Sequence, residues 1–145
     1  MQRKSIMLIE DNPDDEELAL LALEKIGLPH ELSVLRDGQE VMNFLNDIKE
    51  PSGNEQIQNL PKVIFLDLNL PKIGGLDLLR AIRANPVTVN IPVVILTSSN
   101  EERDILSSYN LGANSYVRKP VAFKQFMKVV QQLGEYWLEL NEITS

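Results

Sequence analysis

Four apolar runs in this chain each lead into a side chain that can do chemistry. Ile6-Met7-Leu8-Ile9 ends in Glu10-Asp11, Val63-Ile64-Phe65-Leu66 in Asp67, Ile91-Pro92-Val93-Val94-Ile95-Leu96 in Thr97, and the run around Tyr116-Val117 is followed by Lys119. Short, bounded apolar runs read as buried strands. An open parallel α/β sheet gathers its ligands outside the carboxyl ends of such strands. An acid pair, an acid, a hydroxyl and an ammonium at one edge suit phosphoryl transfer onto Asp67. Carboxylates form aspartyl phosphates, and the transfer needs positioning and charge neutralisation more than covalent help.

A divalent cation fits the same residues. Mg²⁺ takes oxygen ligands, keeps several waters, and is usually held by one or two carboxylates and a phosphate. Asp67 and Asp11 supply two carboxylates, Glu10 acts directly or through a water, and the backbone carbonyl of Asn69 adds a neutral ligand. Without a cation these acids repel one another. Lys119 is placed to pair with one phosphoryl oxygen as a point charge, and Thr97 to donate a hydrogen bond to another. A cis bond between Lys119 and Pro120, cheap before proline, is one way to aim the lysine.

The elements that must position these groups alternate. A helix is expected over residues 14–26, with Pro13 and the acids 14–17 suiting its N-terminus, Leu18, Ala22 and Ile26 with Leu21 on its inner stripe, and Gly27 as C-cap. Residues 32–35 form the second strand, with His30 in the loop before it. Asp37 and Glu40 form a capping-box pattern for a helix whose apolar face is Val41, Phe44, Leu45 and Ile48. The polar, breaker-rich segment 49–61 reads as a surface loop. Helices over 76–84 and 101–111 follow, the second capped by Ser99 or Asn100 and stopped by Gly112. Residues 115–117 form a short fifth strand, and the last helix runs from about 121 to 140. Five strands alternating with five helices define a parallel sheet covered on both faces.

Composition narrows the function classes. The 145 residues favour one domain, core about 4–133 with the last helix continuing to about 140. The net charge of −7 argues against a nucleic-acid-binding surface. With no cysteine and one histidine, His30, there is no thiol nucleophile, disulfide or thiolate metal site, and little support for a zinc site or a Ser-His-Asp triad. No run approaches the roughly 18 apolar residues needed to span a bilayer, and the first apolar run is too short for a signal peptide. A cytoplasmic protein is the expectation.

Together these residues resemble the receiver domain of two-component response regulators, the CheY-like fold, over essentially the whole chain. The resemblance rests on Glu10-Asp11-Asn12, Asp67 within Phe65-Leu66-Asp67-Leu68-Asn69-Leu70-Pro71, Gly74-Gly75, Thr97-Ser98 and Lys119-Pro120. It implies the strand order 2-1-3-4-5, with Asp67 as phosphoacceptor from a sensor histidine kinase. Glu10, Asp11, Asp67 and the Asn69 carbonyl become ligands of Mg²⁺ (or Mn²⁺). Thr97 and Lys119 report phosphorylation, Tyr116 is an aromatic switch that turns inward as Thr97 moves, and Ser99 lies where the family tunes dephosphorylation. Many receivers carry Asp-Asp where this chain has Glu10-Asp11, which leaves open which oxygen meets the metal directly. Asn12-Pro13-Asp14-Asp15, the long loop before strand three and Tyr136-Trp137-Leu138 are similar to small regulators served by bacterial phytochromes.

No DNA-binding domain is expected after the fifth helix, so output is expected through protein contact. The last helix is apolar on more than one face: Phe126, Val130, Leu133 and Trp137 form a stripe, and Phe123, Val129, Tyr136 and Leu140 lie off it. One stripe is enough to pack on a sheet, and the surplus points to a symmetric homodimer. The leading reading is a phospho-switch rather than an enzyme. Alternatives are a receiver-like binding module that works without phosphorylation, and an aspartate-nucleophile phosphatase.

Overall fold

The computed structural model describes residues 4–48 and 60–142; residues 49–59, most of the segment read as a surface loop, lie outside them. Five parallel strands, β1 (Lys4–Ile9), β2 (His30–Leu35), β3 (Val63–Leu66), β4 (Val93–Thr97) and β5 (Ser115–Arg118), form one sheet in the order β2-β1-β3-β4-β5. Between and after them come α1 (Pro13–Glu24), α2 (Gly38–Asp47), α3 (Gly75–Ala84), α4 (Glu102–Asn110) and α5 (Phe123–Glu135), the last continued by a π turn, Tyr136–Leu140.

Successive strand residues point to opposite faces. Met7, Ile9, Ile64, Leu66, Val93 and Ile95 pack with Val41 and Leu45 of α2 and Leu78, Leu79 and Ile82 of α3. Ile6, Leu8, Val63, Phe65, Val94 and Leu96 pack with Ala19, Ala22 and Leu23 of α1 and Phe126 and Val130 of α5. Burial on both faces is why β3 and β4 read as continuous apolar runs instead of alternating ones.

Local signals set the element ends. Asn12 caps α1, its side chain accepting from the backbone N–H of Asp14 (2.9 Å) and Asp15 (3.1 Å), with Pro13 in the first turn. Asp37 caps α2 by accepting from the Glu40 N–H at 2.9 Å, and the Glu40 carboxylate returns one residue further back, to the Arg36 N–H. Gly27 (φ +71°) and Gly112 (φ +100°) close α1 and α4 in the left-handed region.

Some expectations need correcting. His30 opens β2 instead of lying in a loop, because it pairs with Lys4 at the start of the ladder. Leu21 is 44% exposed, and α1 buries Ala19, Ala22 and Leu23. Close packing on α5 selects that face: a Cβ on Gly134 would lie 2.7 Å from Leu23 Cδ2. Neither Ser99 nor Asn100 caps α4; its N-cap is Glu101, without a side-chain bond, and Ser99 ties the preceding loop to Asp104 through a 2.6 Å bond. No cis peptide bond occurs among the described residues, so Lys119 is aimed by the strand ladder, its N–H donating to the Thr97 carbonyl at 2.8 Å. Finally, Leu138 is 2% exposed, while Leu133 and Trp137 are only partly buried. The π turn rotates that end, with the Asn141 N–H donating to the Tyr136 carbonyl at 2.7 Å and Lys4 Nζ to the Leu138 carbonyl.

Candidate functional site

Parallel register brings the strand-end residues together. Ile9 pairs with Leu66, Leu66 with Ile95, and Thr97 with Arg118. Glu10 and Asp67 therefore leave adjacent central strands side by side, the Asp67 N–H donating to the Ile9 carbonyl at 3.1 Å. Thr97 follows on the next strand and Lys119 on the edge.

Lys119 is the hub. Its ammonium donates to Glu10 Oε1 at 2.6 Å, Asp67 Oδ2 at 2.8 Å and Asp15 Oδ2 at 2.9 Å, and its side chain is only 8% exposed. The other Asp67 oxygen, Oδ1, accepts from Thr97 Oγ1 at 2.8 Å and from the Asn69 N–H at 3.0 Å. Glu10, Asp67 and Thr97 are buried, whereas Asp11 and Asn69 are exposed at the rim. The Asn69 side-chain amide lies 3.4 Å from both Thr97 Oγ1 and Ser98 Oγ.

The two buried acids respond to this arrangement in opposite directions. Desolvation pushes Glu10 up to about 7, reinforced by the nearby Asp67 charge and only partly offset by the Lys119 hydrogen bond. Burial pushes Asp67 up as well, but the Lys119 hydrogen bond and charge, the Asn69 N–H and the Thr97 hydroxyl outweigh it and hold Asp67 below its ordinary value. Lys119 loses by desolvation and gains more from Asp67 and Glu10, so its ammonium is held charged.

The raised value for Glu10 has a measurable sign. Folded protein retains the Glu10 proton to about pH 7, while the unfolded chain releases it near 4.5. Across that window the folded state binds more protons, so this group's contribution to stability falls as pH rises. In metal-free urea unfolding, wild type is expected to lose about 3 kcal/mol relative to Glu10→Gln between the two ends of the window. Parallel pH profiles would contradict it. Cation binding needs the ionised carboxylate, so divalent affinity should rise with pH over the same range.

Carboxylate oxygens of Glu10, Asp11 and Asp67 all lie within 4.8 Å of one another. With Asp15, these acids outnumber the single ammonium of Lys119 that meets Glu10, Asp15 and Asp67. An all-oxygen donor set with surplus negative charge fits a hard divalent cation.

Tyr116 is half-buried against the α2 and α3 side of the sheet, its hydroxyl donating to the Ser99 carbonyl at 2.8 Å. Its hydroxyl thus ties it to the loop leaving Thr97. Among the residues proposed for a dimer, Phe123 (70%), Tyr136 (46%) and Leu140 (69%) are exposed and Val129 is partly buried.

Gly75 packs the start of α3 onto the backbone that carries the acid. A Cβ there would lie 2.5 Å from the Asp67 carbonyl oxygen and 2.6 Å from Leu68 Cα, whereas one on Gly74 would meet nothing within 4 Å. Gly75→Ala is expected to cost about 2 kcal/mol in urea unfolding and Gly74→Ala much less; equal losses would contradict this contact.

Sequence reasoning missed Asp15 as a partner of Lys119. It took the acids 14–17 together as complements to a helix N-terminus. The available signal was position: Asp15 sits in the first turn of a helix that starts directly after the acid pair.

A doubly wound five-stranded sheet with acids, a hydroxyl and a lysine at its carboxyl edge defines an open α/β protein with a charged site at its strand ends. The family model of the response regulator receiver domain matches residues 6–131, and the chain belongs to that family. It is 40% identical over 136 residues to "Response regulator Rcp1" of Synechocystis sp. (strain ATCC 27184 / PCC 6803 / Kazusa), covering 94% of this chain and 90% of that protein. Its fold is similar to that of the phosphorylated cyanobacterial phytochrome response regulator RcpA, with TM-score 0.87, 38% identity, and coverage of 99% of this chain and 100% of the other. The Mn²⁺-bound form of Rcp1 aligns with TM-score 0.85 and 39% identity, over 98% of this chain and 99% of that one. The chain is therefore a response regulator receiver of a two-component system. Among the described residues no helix is long and apolar enough to cross a membrane.

Proposed function

We propose that Asp67 is the phosphoacceptor, taking its phosphoryl group from the phosphohistidine of a sensor histidine kinase. The carrying observation is the environment of its carboxylate: buried, held ionised below its ordinary value, with one oxygen fixed by Thr97 and Asn69 and the other by Lys119. An Asp67 oxygen attacks phosphorus, the new O–P bond forms, and the P–N bond breaks with its electron pair leaving on the imidazole. Thr97 and Lys119 then stand next to the new phosphoryl oxygens and can turn their donors onto them. Mg²⁺, held by Asp11, Asp67, Glu10 and the Asn69 carbonyl, supplies charge neutralisation when bound. As Thr97 turns, Tyr116 swings inward and the loop it holds at Ser99 changes the surface presented to partners.

The readout is protein contact, not turnover of a substrate, and the setting is cytoplasmic. Similarity to Rcp1 and to the phytochrome regulator RcpA supports a phytochrome-type kinase as donor. A net charge of −7 disfavours nucleic acid as a partner. Exposed Phe123, Tyr136 and Leu140, with partly buried Val129 beside them, support a homodimer through the last helix; sedimentation showing only monomer at high concentration, with and without a phosphoryl mimic, would rule it out.

The direct test is incubation with acetyl phosphate and Mg²⁺, followed by borohydride reduction and peptide mapping. One acyl phosphate at Asp67, lost in EDTA, is the expected result. No incorporation would favour a receiver-like module that works without phosphorylation, and a label elsewhere would displace Asp67. Phosphotransfer from a panel of kinases then tests the phytochrome assignment.

A further inference from the structure

An ammonium has three N–H donors, and Lys119 commits them to Glu10, Asp67 and Asp15. Glu10 and Asp67 belong to the strand-end site. Asp15 belongs to α1, and its side chain is 27% exposed, against 2% for Glu10 and 6% for Asp67. Its backbone is fixed by the Asn12 cap, which accepts from its N–H at 3.1 Å.

We infer that Asp15 is a positioning residue that competes with the phosphoryl group for Lys119 and so weakens phosphoryl binding and shortens the phosphorylated state. This deepens the reading of Asp67 as phosphoacceptor and rests on it. Once Asp67 is esterified, its oxygen gives up charge and its hold on the ammonium. Lys119 can then turn one N–H to a phosphoryl oxygen, but it remains tethered on the α1 side, and its charge stays shared with Asp15. Removing the Asp15 charge leaves Glu10 as the one remaining protein anchor and frees the ammonium to move toward the phosphoryl oxygens. An ion pair with one partly exposed member is modest, so the effect is several-fold and not orders of magnitude.

Asp14 is the natural control. It is the neighbouring acid at the same helix N-terminus, it is exposed, and Lys119 makes its bonds to other carboxylates. The experiment titrates beryllofluoride at saturating Mg²⁺ into wild type, Asp15→Asn, Asp15→Ser, Asp15→Glu and Asp14→Asn, and follows decay of the acyl phosphate formed from acetyl phosphate. Both neutral variants at Asp15 are expected to bind beryllofluoride about three- to fivefold tighter than wild type and to decay more slowly by a similar factor. Asp15→Glu and Asp14→Asn should stay close to wild type. Equal or weaker binding by the neutral variants overturns the inference. So does equal tightening by Asp14→Asn, which would assign the effect to diffuse charge. Failure of wild type itself to bind beryllofluoride is a different result: it removes the acceptor reading of Asp67, and this inference with it.

Discussion

Asparagine in place of Asp67 is expected to reduce phosphoryl incorporation to background, whether the donor is acetyl phosphate or a phosphorylated kinase. The carboxamide keeps the shape of the side chain and an oxygen that can accept from Thr97 and Asn69, as Asp67 Oδ1 does at 2.8 and 3.0 Å. It lacks the negative charge that makes a carboxylate a nucleophile. The fold should survive, but stability should change in a direction opposite to that of Glu10→Gln. A carboxylate held below its ordinary value contributes stability that is present above its unfolded pKa and lost as pH falls through the folded one. Asp67 is such a group, so Asp67→Asn should lower the urea midpoint at neutral pH, while Glu10→Gln should raise it in metal-free buffer. Radiolabel retained by Asp67→Asn at the wild-type level would place the acceptor elsewhere, and matching stability shifts would contradict the charge assignment.

Lys119→Met should be the most destabilising substitution at the site. It removes the one ammonium bonded to Glu10, Asp15 and Asp67 while Glu10 and Asp67 stay buried. Stranding buried carboxylates without their cation costs about 3 kcal/mol, equivalent to a fall in Tm of about 10 °C for a domain of this size. Two features separate this from ordinary loss of packing. The deficit should shrink as pH falls, because protonating Glu10 and then Asp67 removes the charges that Lys119 answers, and without the Lys119 ammonium that holds it down Glu10 takes up its proton at a higher pH than in wild type. Saturating Mg²⁺ should also raise the Tm of Lys119→Met by more than it raises that of wild type. A deficit independent of both pH and Mg²⁺ would reassign Lys119 to a packing role.

The site was legible from the sequence because of how parallel sheets are built. Each strand that follows a right-handed crossover ends at the same edge, so residues closing separate apolar runs become neighbours without any long-range information. Glu10, Asp67, Thr97 and Lys119 meet for that reason, and the fold followed from the same alternation. What escaped was whatever depends on a contact between elements of different kinds. Asp15 belongs to a helix and meets Lys119 across the gap between α1 and β5, which no local period encodes. Leu21 looked buried because Leu18, Ala22 and Ile26 repeat at the right spacing; the close approach of Gly134 to Leu23 decided for Ala19, Ala22 and Leu23 instead. His30 was misplaced because an edge strand gains its first residues from pairing with Lys4, not from apolar content.

The π turn at Tyr136–Leu140 corrects an angular error. Phe126, Val130, Gly134 and Leu138 are all buried and stand four residues apart. Four residues of α-helix overshoot a full turn by about 40°, so three such steps would carry Leu138 about 120° away from Phe126. Eleven residues, by contrast, return within about 20°, which is why unbroken periodicity points at Trp137. The wider turn absorbs the surplus and hands the inward position from the indole to the leucine. In effect the chain holds one more residue here than a regular helix needs to reach the sheet. A chain lacking one residue between Gly134 and Leu138 would meet the same angular condition with α geometry alone, and its leucine would arrive at the same heading.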